Sequence, residues 1–194
     1  GMYCGQDAIV TISHSIFHNN TGTSSGAIRN SGQLWLTNVT ISQNVATWET
    51  GSGGIWQASS QPEEAYLYMY NCILYGNTPA ENYEIQDNNG FYPTCWNLDY
   101  NNIEINTFPD HCAYGIGSNN QYNIDPLFTD PVSNDFTLQM TSPCIDAGHP
   151  NSAYDPDGTI ADMGALYYQQ YFGPTWHVST SGSNTTGDGS SSSP

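Results

Sequence analysis

Three aspartates in the last third of the chain have the chemistry of a cation site. Asp155, Asp157 and Asp162 lie in the segment DPDGTIAD, where the D-x-D-G order places two carboxylates around a glycine turn. Because calcium prefers carboxylate oxygens, the segment predicts calcium as the candidate cofactor. The calcium-loop pattern is incomplete, since Ala153 stands at its first ligand position and Gly164 at its last. A tight Asp-Gly turn is the alternative interpretation.

Aromatic residues form a second candidate site. Its predicted members are Trp35, Tyr66, Tyr68, Tyr70 and Trp56, flanked by Trp48. Flat rings offer apolar surfaces on which the C–H faces of sugars pack, so this set predicts carbohydrate binding. The alternative interpretation is that outward aromatic rings stack on one another for stability.

No residue is predicted to be catalytic. A lyase that acts on acidic sugars needs a basic residue, and Arg29 is the only Lys or Arg in the chain. A glycoside hydrolase needs two carboxylates at a fixed separation. The acidic residues near the strands fall in turns and insertions, at Glu49, Glu63, Glu64, Glu81, Glu84 and Asp87. The five histidines show no metalloprotease spacing.

Charge excludes two classes of partner. The chain has 18 acidic residues and one basic residue, which gives a formal net charge of -17. Nucleic-acid phosphates and anionic lipids are both held by clusters of Lys and Arg. The sequence also lacks an apolar run of the roughly 18 residues that a membrane helix requires. We therefore expect no nucleic-acid partner and no membrane insertion.

The five cysteines do not indicate a metal or redox site. They are Cys4, Cys72, Cys95, Cys112 and Cys144, and no two of them form a CxxC pair. Cys95 and Cys112 bracket a short loop and could form a disulfide, but spacing alone does not establish the pairing.

A repeat indicates which elements position these residues. The segments AIVTISHSIFHNN, QLWLTNVTISQN and AYLYMYNCILYGN each place an aliphatic strand before a turn asparagine, at Asn20, Asn44 and Asn77. Stacked amides can donate and accept along one axis, so the three asparagines predict a structural ladder. His14 aligns with an earlier asparagine position and is expected to hydrogen-bond there.

Alignment on the turn asparagines produces columns of apolar residues. The columns are Phe17, Ile41 and Leu74; Val10, Leu34 and Leu67; and Ile12, Leu36 and Met69. A second strand aligns Met2, Ile28, Ile55 and Ile85. Between the apolar columns lie Thr11, Trp35 and Tyr68, and Ser13, Thr37 and Tyr70, with no carboxylate among them.

Short alternating strands in a repeated order predict an all-β fold, a right-handed parallel β-helix (solenoid) with an irregular C-terminal cap. An antiparallel sandwich ranks second because it does not require the same column order in every repeat. We expect β-helix coils over 1–110, truncated at their N-terminal side. The final coil and closing segment are expected over 111–172. Residues 173–194 are interpreted as a linker or the first strand of a following domain.

Two motif pairs resemble a known repeat. FHNN with SGAI, and ISQN with GGIW, are similar to the alternating FxxN and GGA[ILV] motifs of polymorphic outer-membrane proteins, which are adhesin-like β-helices. The match departs at Ser25, where glycine is usual, and at Ile41, where phenylalanine is usual.

The C-terminal half carries a closer resemblance. NCILYGN, YNIDPLFTDP, DFTLQMTSPCIDAG and DPDGTIADMGALYY resemble bacterial secreted β-helix proteins with choice-of-anchor ends. The resemblance implies a segment that closes the β-helix and export to the cell surface or medium. It implies no catalytic residues.

The expected function is therefore a non-enzymatic extracellular module with a structural or adhesive role, whose partners are glycans or neighbouring copies of the protein. The alternative is the scaffold and cap of a carbohydrate-active enzyme, a polysaccharide lyase or glycoside hydrolase, with its active site on other coils.

Overall fold

The computed structural model describes residues 1–58, 65–78, 84–87, 95–105 and 115–170. The proposed pairing of Cys95 with Cys112, the boundary near residue 110 and the segment 173–194 therefore lie outside the described residues. The strands are β1 (Met2–Cys4), β2 (Ile9–His18), β3 (Thr21–Gly22), β4 (Ile28–Asn30), β5 (Gln33–Ser42), β6 (Val45–Ala46), β7 (Ile55–Gln57), β8 (Tyr66–Tyr70), β9 (Ile73–Tyr75), β10 (Ile85–Asp87), β11 (Cys95–Asp99), β12 (Asn102–Ile103), β13 (Gln121–Tyr122), β14 (Phe128–Asp130) and β15 (Asp135–Leu138). A 3-10 helix spans Pro131–Ser133.

The chain folds as a parallel β-solenoid. One sheet has the order β1-β4-β7-β10. The larger sheet pairs β2 with β5, continues from β5 through β8 to β11, and also runs from β5 through β9 and β12 to β13. Every pair in these two sheets is parallel, as required when successive coils stack. The predicted fold class is confirmed.

The predicted columns are the observed strand register. Ile28 pairs with Met2 on one side and Ile55 on the other, and Ile55 pairs with Ile85. In the larger sheet the rows are Val10, Leu34 and Leu67; Ile12, Leu36 and Met69; and Phe17, Ile41 and Leu74. The middle and last members of these rows are fully buried. These inward aliphatic rows form the core.

A left-handed residue bends each long strand at the same corner. His14, Asn38, Asn71 and Tyr100 have φ angles of 45°, 51°, 54° and 55°. Asparagine tolerates this region better than most residues, which explains its use in two of the four coils. Within the described ranges, the His14 side chain makes no hydrogen bond, so the bond expected there is not seen among these residues. We call this set the corner row.

The second corner carries three asparagines that are hydrogen-bonded in series. Asn20 Nδ2 donates to Asn44 Oδ1 at 2.9 Å, and Asn44 Nδ2 donates to Asn77 Oδ1 at 2.8 Å. The same oxygens accept the backbone N–H groups of Asn20 and Asn44. Asn44 Nδ2 also donates to the carbonyls of Phe17 and Ser42. Each amide thus satisfies polar groups on its own coil and on its neighbours.

The asparagine series ends on a buried carboxyl group. Asn77 donates its backbone N–H to Glu84 Oε1 and its side-chain N–H to Glu84 Oε2. Glu84 is only 4 % exposed. Burial raises the pKa of Glu84 from 4.5 to about 8, opposed by the Asn77 hydrogen bonds and reinforced by the negative charge of Glu104.

An irregular cap covers one flank of the solenoid. Strands β14 and β15 form an antiparallel pair, and an apolar cluster joins the cap to the solenoid through Ile73, Phe128, Phe136, Leu138, Cys144 and Met163. The cap also bonds to the corner row, since Asn38 Nδ2 donates to the carbonyls of Asp162 and Gly164. Cys4, Cys72 and Cys144 are buried free thiols.

The asparagine series predicts a large loss of stability for Asn44→Ala. The change removes the acceptor of the Asn20 backbone and side-chain N–H groups, and it removes the side-chain donor to two backbone carbonyls; Asn77 Oδ1 keeps only the backbone N–H of residue 44. Each buried group that is left unsatisfied costs roughly 1–3 kcal/mol. We expect the free energy of unfolding to fall by about 3 kcal/mol or more in urea titration. Asn151→Ala is the matched control: its side chain is exposed, and we expect a change below about 0.5 kcal/mol. Equal losses in the two variants would contradict the role of the series.

Glu84 predicts a pH-dependent stability. Its folded pKa of about 8 exceeds its ordinary value of 4.5, so the folded chain binds this proton more tightly than the unfolded chain. The Glu84 contribution is fully present below about pH 4.5 and is lost as pH rises through about 8. We expect Tm to fall over this window, and to fall less steeply in Glu84→Gln. Parallel Tm–pH curves for the two proteins would refute the assignment.

Candidate functional site

Aromatic side chains stack on the outer face of the larger sheet. Trp35 lies between the buried Leu34 and Leu36, so strand alternation turns its ring outward. The register sets Trp35 beside Tyr68, and the two rings are stacked with centroids 3.8 Å apart and planes 7° apart. This row begins at Thr11 and ends at Asn97.

Two further tyrosines extend this aromatic surface along β8. The Tyr66 ring lies 6.3 Å from the Tyr68 ring and is inclined to it by 11°. Tyr70 anchors the other end, where its hydroxyl donates to Asn97 Oδ1 at 2.9 Å. Trp35, Tyr66, Tyr68 and Tyr70, four of the five predicted carbohydrate-binding residues, therefore share one face. We call these four residues the aromatic face.

One face of the Trp35 ring is not covered by another ring of the row. Tyr68 stacks on the side toward β8, and the residue that pairs with Trp35 on the other side is Thr11. A threonine side chain is too small to cover an indole, and Trp35 keeps 39 % of its surface exposed. The row thus presents a flat apolar surface beside hydroxyl groups, which suits a ring with polar edges and an apolar face.

A shallow groove lies beside Tyr70. Its volume is about 330 Å³, and its lining includes Thr37, Tyr70, His149 and Ser152. His149 belongs to the cap and meets the Tyr70 ring edge-on at a centroid distance of 6.1 Å. Its backbone N–H donates to Asn71 Oδ1 at 2.7 Å, which fixes this part of the cap against the corner row. The groove provides polar contacts at one end of the aromatic face.

The structure separates Trp56 from the predicted aromatic set. Trp56 lies on β7 of the smaller sheet, where it pairs with Arg29 and Gln86, and it is only 7 % exposed. The prediction of Trp56 as a member of this platform was wrong, because its coil position belongs to the other sheet. Trp48 is 55 % exposed but lies in a turn after β6.

The structure places the three predicted metal-ligating aspartates in a network of hydrogen bonds within the cap. Across the described residues, no group of three or more His, Cys, Asp or Glu side chains is placed to hold a metal ion. Asp155 Oδ2 accepts the N–H of Asp162, Asp157 Oδ1 accepts from Thr159, and the two oxygens of Asp162 accept the N–H groups of Asp146 and Tyr168. Backbone donors therefore occupy these oxygens, and the turn interpretation explains the segment.

The structure adds a carboxylate, Asp99, to the outward row of Ser13, Thr37 and Tyr70, in which the sequence alignment found none. Asp99 pairs with Tyr70 at the end of the row that includes Thr37. Its oxygens accept hydrogen bonds from the backbone and side-chain N–H groups of Asn119. Asp99 was missed because β11 follows a long insertion and falls outside the three aligned repeats. Its bonds give it a structural role in the last coils.

Arg29 lies on the opposite sheet from the aromatic face. Its Cζ atom is 6.0 Å from the centroid of the Tyr3 ring, its neighbour in the outward row of the smaller sheet. No carboxylate of the described residues pairs with it.

Comparison with known proteins identifies no relative of this chain. Scans against protein-family models, curated proteins and solved structures found no match to this chain. None of the helical segments in the described part of the chain has the length and apolar character of a transmembrane helix.

Proposed function

We propose that this chain is a non-enzymatic, extracellular β-helix module that serves as an adhesive or structural surface, and that its aromatic face contacts glycans. The observation that carries the proposal is the Trp35–Tyr68 stack, with centroids 3.8 Å apart, on the outer face of a rigid parallel sheet. The same face offers flat rings and polar groups. Among its described residues there is no pair of carboxylates of the kind that a glycoside hydrolase uses.

The solenoid supplies the rigidity that such a surface needs. Leu34, Leu36, Leu67 and Met69 are fully buried behind the aromatic face and fix the strands that carry it. The rings therefore lose little conformational freedom when a ligand binds, which reduces the entropic cost of association. A preorganised face of this kind favours recognition of a repeating polymer.

Each single contact in the proposed interaction is weak. One aromatic contact contributes roughly 0.5–1.5 kcal/mol beyond area burial, so a single sugar on the face would bind poorly. Repeated sugars on a chain, or repeated modules on a surface, raise the apparent affinity through effective concentration. Contact with neighbouring copies is a second use of the same exposed surface.

An extracellular location is supported by the motif resemblance. NCILYGN, DFTLQMTSPCIDAG and DPDGTIADMGALYY resemble the closing segments of secreted β-helix proteins. The acidic composition, with a net charge of -17, is consistent with a solvated surface module that avoids nucleic acids and anionic lipids.

The proposal predicts that Trp35→Ala weakens binding to soluble polysaccharide. The change removes the largest ring of the aromatic face. For any polysaccharide that retards the unaltered chain in affinity electrophoresis, we expect the affinity of the variant to be about tenfold lower, which corresponds to about 1.4 kcal/mol. Trp48→Ala is the control, because Trp48 is an exposed tryptophan in a turn away from the stack.

The measurement uses a panel of neutral and acidic polysaccharides and also assays release of new sugar ends. Retained binding in Trp35→Ala, or equal weakening in Trp48→Ala, would refute the aromatic face as the contact. Time-dependent cleavage by the unaltered chain would support the alternative of a carbohydrate-active enzyme.

A further inference from the structure

A cavity of about 490 Å³ lies where the cap meets the corner row. The solenoid contributes His14 and Asn38 to its lining, and the cap contributes Asp155, Asp162 and Tyr167 among others. Its volume falls in the range of roughly 300–1,000 Å³ that is typical of small-molecule pockets. The cavity belongs neither to the aromatic face nor to the groove at Tyr70.

The cavity forms because the cap seals only part of the corner row. At Asn71, the backbone N–H groups of His149 and Gly164 close the corner at 2.7 and 2.8 Å. At Asn38, the side-chain amide donates to two cap carbonyls. At His14, the next residue of the row, no such bond is present in the described part of the chain. The seal therefore ends where the cavity begins.

Two polar side chains that line the cavity, the exposed His14 and the partly buried Asp155, have atoms that make no hydrogen bond to the described residues and are open to a ligand. Asp155 Oδ2 accepts the N–H of Asp162 at 2.9 Å, but Asp155 Oδ1 accepts no hydrogen bond there. The His14 imidazole also makes none. By contrast, both oxygens of Asp162 are occupied by backbone donors, so Asp162 shapes the cavity without offering a free acceptor.

The remaining lining adds an apolar side to these polar groups. Tyr167 is 38 % exposed, and its hydroxyl donates to Gln169 Oε1 at 3.2 Å, which fixes the ring. Leu166 and Pro156 also line the cavity. The site therefore combines a free carboxylate oxygen, an imidazole and a fixed aromatic ring with aliphatic surface.

We propose that this cavity binds a single sugar residue, with Asp155 and His14 bonding to its hydroxyl groups and Tyr167 contacting its C–H surface. Each hydroxyl is both donor and acceptor, so it can donate to a carboxylate and accept from an imidazole N–H. The inference takes its ligand class from the proposed function but names a separate site with its own residues.

Competing ligand classes fit these groups less well. The described residues offer no set of three side chains that could hold a metal ion. An ammonium group would pair with Asp155, but it has no acceptor for an imidazole N–H, whereas a sugar hydroxyl has one. Burial, together with the nearby Asp162, Asp157 and Asp146, raises the pKa of Asp155 to about 6, so at neutral pH the carboxylate is available as an acceptor.

The test titrates the isotope-labelled chain at neutral pH with methyl glycosides of glucose, galactose and mannose, and with methylamine, and follows backbone amide shifts. We expect saturable shifts at residues 14, 38, 155 and 162–169 with at least one glycoside. No shift with any glycoside, or shifts there with methylamine alone, would overturn the proposal.

Two conservative variants locate the contact. Asp155→Asn keeps an oxygen for the Asp162 N–H but replaces the free acceptor, and His14→Asn installs the residue found at two other places of the corner row. We expect each to weaken glycoside binding by about tenfold, the loss of roughly one hydrogen bond. Glu49→Gln, an exposed charge in a distant turn, should leave binding unchanged. Unweakened binding in both cavity variants would overturn the assignment.

Trp35→Ala separates this site from the proposed function. It should leave the glycoside-induced shifts intact while it weakens polysaccharide binding. Polysaccharide binding that depends on Trp35, with no glycoside shifts in the cavity, would overturn this inference alone. Cavity shifts without any polysaccharide binding by the unaltered chain would overturn the proposed function alone.

Discussion

Register between stacked coils is the constraint on which the rest of the structure depends. Side chains alternate between the two faces of a strand, so a slip of one residue would turn Leu34 and Leu36 outward and Trp35 into the core. The parallel pairing of β2, β5 and β8 fixes this choice for three coils at once. Burial of the aliphatic rows and exposure of the aromatic face are therefore two consequences of one register.

Register alone does not fix where each coil turns, and the polar corners do so. In the corner row, residues with φ near 50° bend the strands at equivalent positions. At the second corner, Asn44 bonds to Asn20, to Asn77, to the Phe17 carbonyl of the neighbouring coil and to the Ser42 carbonyl of its own coil. A buried amide is costly unless its bonds are made, and these bonds form only when coils stand in register. The asparagines thus add to the penalty that the aliphatic rows impose on misaligned coils.

Sequence reasoning found what repeats and missed what does not. The apolar columns and Asn20, Asn44 and Asn77 recur in order, so alignment was enough to predict their stacking. Asn101 and Asn120 form an equivalent pair at 3.0 Å in the last coils, and this pair was not predicted. The two asparagines are 19 residues apart, a shorter spacing than in any of the aligned repeats. In the preceding coil, the residue that bonds to Asn101 is Cys72 and not an asparagine, so the pattern is broken there. The doubled asparagines at 101–102 and 119–120 were the available signal.

The candidate sites were harder to predict because they depend on partners distant in the chain. The aspartates of DPDGTIAD suggested a metal site by composition, and only the folded cap reveals the donors, such as the Tyr168 N–H, that bond to at least one oxygen of each aspartate. Trp56 suggested an exposed ring by type, but it belongs to the other sheet.

The cavity at His14 shows the reverse case, in which no motif predicts a site. His14 is 24 residues from Asn38 and more than 100 from Asp155, and the three line one cavity because the cap, which bonds to the corner row at Asn38 and Asn71, passes His14 without such a bond in the described residues. A solenoid repeats its corners, so a cap that covers some and not others creates a unique polar hollow on a regular scaffold. The repeat therefore sets the shape of the scaffold, and the segment that covers it sets where such a hollow lies.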